Sequence, residues 1–193
     1  MDIDFYSVVK AYLSSFGAKL AQTGEKGCRK KTNNKWYEIQ DNTAYYAEFE
    51  QPKIIWAEIA KGSCFHYDTN FYYISNTAYM MSGGDLIYLL GVLNSRVFDF
   101  YFNLISTNLS GKVNRGIKTF IEQFPIPNFQ ESQTSQMLIE NVERILKLVE
   151  LPSDTNEHMA KIQEYSREID HLVYQLYDLT TDEIAIIETN GLE

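Results

Sequence analysis

The sequence is poor in the residues that cross-link a protein or anchor it in a membrane. Only two of its 193 residues are cysteine and four are proline, and two cysteines are too few for a disulfide framework. The longest apolar run, near Leu86–Leu93, falls short of the roughly 20 residues that a membrane span needs. The acidic start, Met1–Asp4, does not resemble a secretory signal. These absences predict a cytoplasmic protein without a membrane association.

Motifs of common enzymes are also missing from the sequence. Gly83–Gly84 and the pair Gly111 and Gly116 lack the spacing of phosphate-binding loops, and GxSxG, HExxH and CxxC do not occur. Cys64 and His66 would share one face of a predicted strand. Without further ligands in view, a core cysteine beside a partly exposed histidine is favoured over a metal pair. We therefore expect no catalytic residue, metal or cofactor in this chain.

Charge is distributed unevenly along the chain. The formal net charge of −9 argues against a nucleic-acid ligand, but binding depends on the local field. Residues 1–130 carry 13 Lys and Arg against 12 Asp and Glu, whereas residues 131–193 carry 4 against 14. The acid is therefore concentrated in the last third. The basic residues form two groups, Lys26, Arg29, Lys30, Lys31 and Lys35, and then Lys112, Arg115 and Lys118.

Hydrophobic periodicity predicts an α+β fold with a small mixed or antiparallel β core and packed helices. Apolar spacings of three and four predict the helices over residues 4–22, 86–103, 131–150, 154–178 and 181–188. Short aromatic and β-branched runs predict the strands at 36–39, 53–59, 63–67, 71–74 and 78–81. The helices after Pro127 predict an αα-hairpin, and Thr180 to Glu183 fits a capping box for the last helix. We place a domain boundary between 1–130 and 131–193.

Five segments together resemble a known family. In chain order they are Lys35–Ile39, Pro52–Ile59, Leu89–Arg96, Phe124–Pro127 and Glu168–Thr180. Each segment is short and apolar, but their order and spacing resemble the TaqI-like C-terminal specificity domain. That domain is found behind the adenine-methylating domain of type II, especially type IIG, restriction-modification enzymes. The resemblance extends from the helix at 4–22 to the helix at 181–188.

The resemblance implies a target-recognition domain that inserts into the groove of double-stranded DNA opposite an adenine-specific methyltransferase domain. S-adenosylmethionine and an Asn-Pro-Pro-Tyr-type motif would belong to that second domain, and neither the tetrapeptide nor a cofactor-binding glycine motif occurs here. We therefore interpret the chain as a non-catalytic fragment of a site-specific adenine DNA methyltransferase or type IIG restriction enzyme. Its expected partners are double-stranded DNA and the methyltransferase domain.

Cations and amides on polar loops are the candidates for DNA contact. Lysine and arginine bind phosphates, arginine can also fork onto guanine, and asparagine can pair with adenine. The loop at 106–118 is our first choice, and a solvated loop is the alternative. The candidates are Lys112, Asn114, Arg115, Lys118, Lys53, Lys61, Arg29, Lys30 and Lys31. The acidic hairpin would repel DNA, and as an alternative function it would be the docking surface of a protein-interaction module.

Overall fold

The fold is described from a computed structural model, which covers residues 2–40, 44–106, 108–110, 113–115, 118–151 and 156–190. Helices and short antiparallel sheets are both present, so the predicted α+β class is confirmed. The chain divides into two compact units, Met1–Ala47 and Glu48–Glu193. This division differs from the boundary predicted after residue 130, because the C-terminal helices share a hydrophobic core with the sheet and helices that precede them.

The first unit contains one short α helix, α1 (Ser7–Ser14), between 3-10 turns at Ile3–Phe5 and Gly17–Leu20. The predicted helix 4–22 is thus interrupted, because Gly17 adopts a φ of +53°, a left-handed conformation that glycine tolerates. The predicted strand 36–39 is wrong, since these residues form a turn. The backbone N–H of Lys35 donates to the Glu38 carboxylate at 2.8 Å, which closes that turn.

The second unit contains two small sheets. Their strands are β1 (Lys53–Ala57), β2 (Ile59–Lys61), β3 (Phe65–Asp68), β4 (Ala78–Ser82), β5 (Asn108–Ser110) and β6 (Val113–Arg115). In the described residues, β1 lies between β3 and β4, β6 lies between β2 and β5, and the pairs within both sheets are antiparallel. The strand predicted at 53–59 is therefore divided at Glu58, and its two halves belong to different sheets.

The predicted strand at 71–74 is also wrong. The backbone N–H groups of Asn70 and Tyr72 donate to the Asp68 carboxylate at 2.9 and 3.0 Å, and Phe71 adopts a φ of +60°. A side chain that binds nearby backbone groups offers the chain an alternative to the ladder of a sheet. The aromatic run that favoured a strand therefore forms a turn after β3.

Helices cover most of the remaining chain. They are α2 (Leu86–Leu93), α3 (Arg96–Ile105), α4 (Lys118–Ile121), α5 (Gln133–Glu150), α6 (Asn156–Leu176) and α7 (Thr181–Asn190). The single helix predicted at 86–103 is divided at Ser95, whose backbone is extended and whose hydroxyl accepts from the N–H of Phe98. The capping box of α7 is confirmed, because Thr180 N–H donates to the Glu183 carboxylate at 2.8 Å and Glu183 N–H donates to the Thr180 hydroxyl at 3.4 Å.

The helices α5 and α6 form the predicted hairpin and also complete the core of the second unit. Asn141 donates to the Glu168 carboxylate at 2.8 Å, and the Arg144 guanidinium lies 5.6 Å from the centre of the Tyr165 ring, so the two helices run antiparallel. Gly91 of α2 packs so closely on α5 that an added Cβ would lie 2.6 Å from Leu138 Cδ2. Across the described ranges, no helix is both long and apolar enough to span a membrane.

Candidate nucleic-acid interface

Lys53, a predicted phosphate contact, is instead one half of a buried ion pair. It begins β1 directly opposite Asp68 at the end of β3, and its Nζ lies 2.6 Å from Asp68 Oδ2 with both side chains at 0% exposure. The same ammonium donates to the carbonyl of Phe49 at 2.9 Å. The prediction that Lys53 reaches DNA is therefore wrong, because its charge is neutralised inside the protein. The partner on another strand could not be seen from the sequence.

The Asp68 carboxylate fixes the turn that follows β3. Burial by itself would raise its pKa, but the hydrogen bonds from Lys53 and from the N–H groups of Asn70 and Tyr72 hold the pKa below its ordinary value. The carboxylate is therefore ionised at neutral pH, and its negative charge offsets the positive charge of Lys53. Sequence reasoning missed this cluster, although the Asp68-Thr69-Asn70 run was a signal for a side-chain-bonded turn.

The loop predicted to read DNA is built around β5 and β6. Arg115 lies opposite Ile59, and Asn114 lies opposite both Ala60 of β2 and Asn108 of β5. The sheet therefore brings two predicted contacts, Asn114 and Arg115, beside the strand β2, which ends at the third, Lys61. A fourth, Lys112, lies outside the described residues.

The two candidates on β6, Asn114 and Arg115, differ in the residues that they face on β2. Ile59, opposite Arg115, is 56% exposed. Ala60, opposite Asn114, lines a narrow cavity together with Phe98 of α3. The register thus places Arg115 across from an exposed position and Asn114 across from one near the core.

Lys118, three residues after Arg115, begins α4 and is exposed. Its side chain is 69% accessible, and its Nζ lies 3.3 Å from the Glu122 carboxylate one turn later in the chain. An exposed pair of this kind contributes little to stability, so the ammonium can exchange Glu122 for a phosphate at small cost. DNA contact by Lys118 stays a prediction.

The basic loop of the first unit combines one structural cation, Arg29, with exposed lysines. The guanidinium of Arg29 is half-buried and donates to the carbonyls of Trp36, at 2.9 Å, and Glu38. Lys30 and Lys31 are exposed. Sequence reasoning overlooked Gln22, whose amide donates to the carbonyl of Asn34 at 2.7 Å and helps to hold the loop. Arg29 therefore stabilises the loop that contains Lys30 and Lys31.

Two carboxylates with shifted pKa values have structural partners. Burial raises the pKa of Asp99, which accepts from the N–H of Ser63 at 2.5 Å. Burial likewise raises the pKa of Asp170, which accepts from the N–H of Arg96 at 2.8 Å. These contacts hold the turn before β3 and the start of α3. Among the residues that the structure describes, no group of three or more His, Cys, Asp or Glu side chains could hold a metal ion.

The described residues combine an α+β fold with a polar strand pair, β5–β6. Residues 7–126 match the family described as the TaqI-like C-terminal specificity domain. The match covers more than half of the chain, so the chain belongs to this family, which supplies target recognition in restriction-modification systems. The predicted family is thereby confirmed. No curated protein matches the chain.

Proposed function

We propose that this chain is the DNA sequence-specificity domain of a restriction-modification adenine-N6 DNA methyltransferase. It binds duplex DNA and positions the duplex for a separate catalytic domain, which would bind S-adenosylmethionine and transfer the methyl group. The observation that carries the proposal is the family match over residues 7–126, which includes β2, β5 and β6. The chain itself supplies recognition and is not expected to methylate or cleave DNA.

The register of the β2–β6–β5 sheet supports this function. It brings Lys61, Asn114 and Arg115 onto neighbouring strands. Lysine is suited to phosphate contact, and asparagine and arginine are suited to base readout. Arg115 is the first residue to test for base contact, because Ile59 opposite it is exposed. Lys118 follows as an exposed cation suited to phosphate.

Fluorescence anisotropy with a labelled random duplex tests the proposal. We expect binding that weakens steeply between low and moderate salt, because cations that neutralise phosphates release counterions. If the chain shows no binding to duplex DNA even at low salt, the proposal is wrong and a protein-docking function is favoured.

Two matched lysine variants locate the interface. Lys118→Ala should weaken binding for all sequences and reduce the slope of log K against log salt by about 1. Lys161→Ala is the control, because Lys161 also forms an exposed pair with a glutamate four residues away, at 2.9 Å, but lies on the acidic hairpin. Equal loss in both variants, or in neither, would contradict the placement of the interface near α4. The pair Lys112→Ala/Arg115→Ala then tests the loop itself, and unchanged affinity there would refute the choice of loop.

Exposed apolar side chains on the acidic hairpin favour a second role, docking onto a partner such as the methyltransferase domain. Met137, Val149, Leu151 and Met159 are each about half exposed, at 46 to 62%, within a segment that carries 14 acidic and 4 basic residues. Charge of this sign keeps the surface away from DNA and suits a basic protein surface. Co-purification with the separately expressed methyltransferase domain, compared between wild type and Val149→Ser/Met159→Ser, tests this role.

A further inference from the structure

Three consecutive aromatic residues are displayed on the turn after β3. We call Phe71–Tyr73 the aromatic turn. Its three residues are 47%, 60% and 66% exposed. Phe71 holds a φ of +60°, a conformation that bulky residues rarely adopt and that persists only where the surroundings fix it. The exposure of three large rings on a strained backbone calls for a functional explanation.

The buried ion pair holds the aromatic turn and the segment that packs on it: Lys53 binds the backbone at Phe49, and Asp68 binds the backbone at Tyr72. Lys53 Nζ donates to the carbonyl of Phe49 at 2.9 Å and contacts Asp68 at 2.6 Å, and Asp68 in turn accepts from the N–H of Tyr72 at 3.0 Å. The ring of Phe49 stacks on that of Tyr73, with centres 4.6 Å apart and planes 15° from parallel. Tyr73 is therefore supported on one ring face while most of the residue is exposed.

The run that contains the aromatic turn carries no formal charge, and the nearest carboxylates in sequence around its stacking partner Phe49 are Glu48 and Glu50. Residues 69–84 are sixteen consecutive residues without Asp, Glu, Lys or Arg, in a chain that is 22% charged. The buried Lys53 and Asp68 neutralise each other. Exposed rings flanked by uncharged hydroxyl and amide groups suit the faces and edges of nucleobases, and the segment adds no carboxylate that would repel DNA.

We propose that the aromatic turn is a base-stacking element, with Tyr72 and Tyr73 stacking on a base whose face is exposed at an opened step of the target duplex. The inference rests on the proposed function, because it requires that the chain binds DNA. Base faces in an intact duplex are covered by their neighbours, so a side chain reaches them only where a step is kinked or a base has left the stack. Enzymes that modify bases extrude their target in this way, which would create such a step.

Binding to an intact duplex and to the same duplex with a central abasic site tests the proposal. The full chain is used, and a 2-aminopurine beside the abasic site reports stacking through its fluorescence. Tyr72→Leu and Tyr73→Leu keep an apolar side chain and the backbone N–H but remove the ring. The control is Tyr12→Leu on α1, because Tyr12 is similarly exposed at 65%.

We expect wild type to prefer the abasic duplex by roughly fivefold or more, the weak end of base–aromatic stacking, and to change the 2-aminopurine fluorescence. Tyr73→Leu should lose most of this preference and signal and Tyr72→Leu part of them, whereas Tyr12→Leu keeps both. If both turn variants behave as wild type while binding stays salt-sensitive, base stacking is refuted and the proposed function stands. If Tyr73→Ala loses the preference for the abasic duplex and Tyr73→Leu keeps it, an apolar side chain is sufficient at this position, and stacking by the ring is overturned. Failure of wild type to bind either duplex would overturn both proposals.

Discussion

Removal of either partner of the Lys53–Asp68 pair should strongly destabilise the second unit. Lys53→Met keeps most of the apolar stem but leaves the buried Asp68 carboxylate with the N–H donors of Asn70 and Tyr72. Asp68→Leu leaves the ammonium with the carbonyl of Phe49. Removing one partner of a buried pair costs about 3–5 kcal/mol. Asp68→Leu should lie at the upper end, because the ammonium retains fewer partners than the carboxylate.

Thermal unfolding followed by circular dichroism measures this effect. In a domain of this size, 1 kcal/mol shifts Tm by about 2–4 °C, so each single variant should lose about 6–20 °C. The double variant Lys53→Met/Asp68→Leu should be more stable than the sum of the singles predicts, since it leaves no buried charge unpaired. Lys118→Met is the control, because its pair with Glu122 is exposed. Single variants that melt like this control would refute the reasoning.

The pH dependence of stability gives a second measure of the same pair. The pKa of Asp68 is lower in the folded protein than its ordinary value, so its contribution is present above the unfolded pKa, about 3.9. That contribution is lost as the pH falls through the folded pKa. Wild type should therefore lose more stability than Lys53→Met/Asp68→Leu when the pH is lowered below about 4. Parallel acid titrations of the two proteins would contradict the assignment.

Three further changes test packing, capping and burial. Gly91→Ala should cost about 1–3 kcal/mol of stability, because its Cβ would meet Leu138 at 2.6 Å. Gly84→Ala is the control and should leave the melting temperature almost unchanged, because its Cβ would lie in open space. Equal melting temperatures for the two variants would contradict the packing. Thr180→Ala should lose about 1 kcal/mol of stability in urea, and no change would contradict the capping box. Burial raises the pKa of Asp99, so its ionisation opposes folding as the pH rises through the folded pKa. Asp99→Asn should therefore raise Tm more at pH 7 than at pH 4, and a difference independent of pH would contradict this sign.

Local patterns predicted the C-terminal helices well. The apolar spacing that predicts α5 and α6, and the capping box at Thr180 to Glu183, depend on residues within a few positions of one another, and the structure contains both. The aromatic run at 71–74 failed as a strand prediction because Asp68 binds the backbone at Asn70 and Tyr72. Strand propensity in this run was overridden by one buried carboxylate.

The residue types of the candidate site could be predicted from the sequence, but the residues that lie beside them in space could not. The polar loop at 106–118 stood out by composition, but nothing local to it indicates that β6 pairs with β2, and hence that Lys61 ends a neighbouring strand. Lys53 looked like Lys61, since both lie at strand ends. They differ because Lys53 faces Asp68 across β1 and β3, a contact between distant parts of the sequence.

The close contact of Gly91 with Leu138 has a consequence for exchanging specificity between enzymes. A chimera joined at residue 130 would set a foreign α5 against α2, where a Cβ added at Gly91 would already lie 2.6 Å from Leu138 Cδ2. The candidate contacts Lys61, Asn114, Arg115 and Lys118 and the acidic hairpin should therefore be exchanged together, within the unit 48–193. Natural or engineered recombination would then succeed at the junction near residue 47 more often than at the change in charge near residue 130.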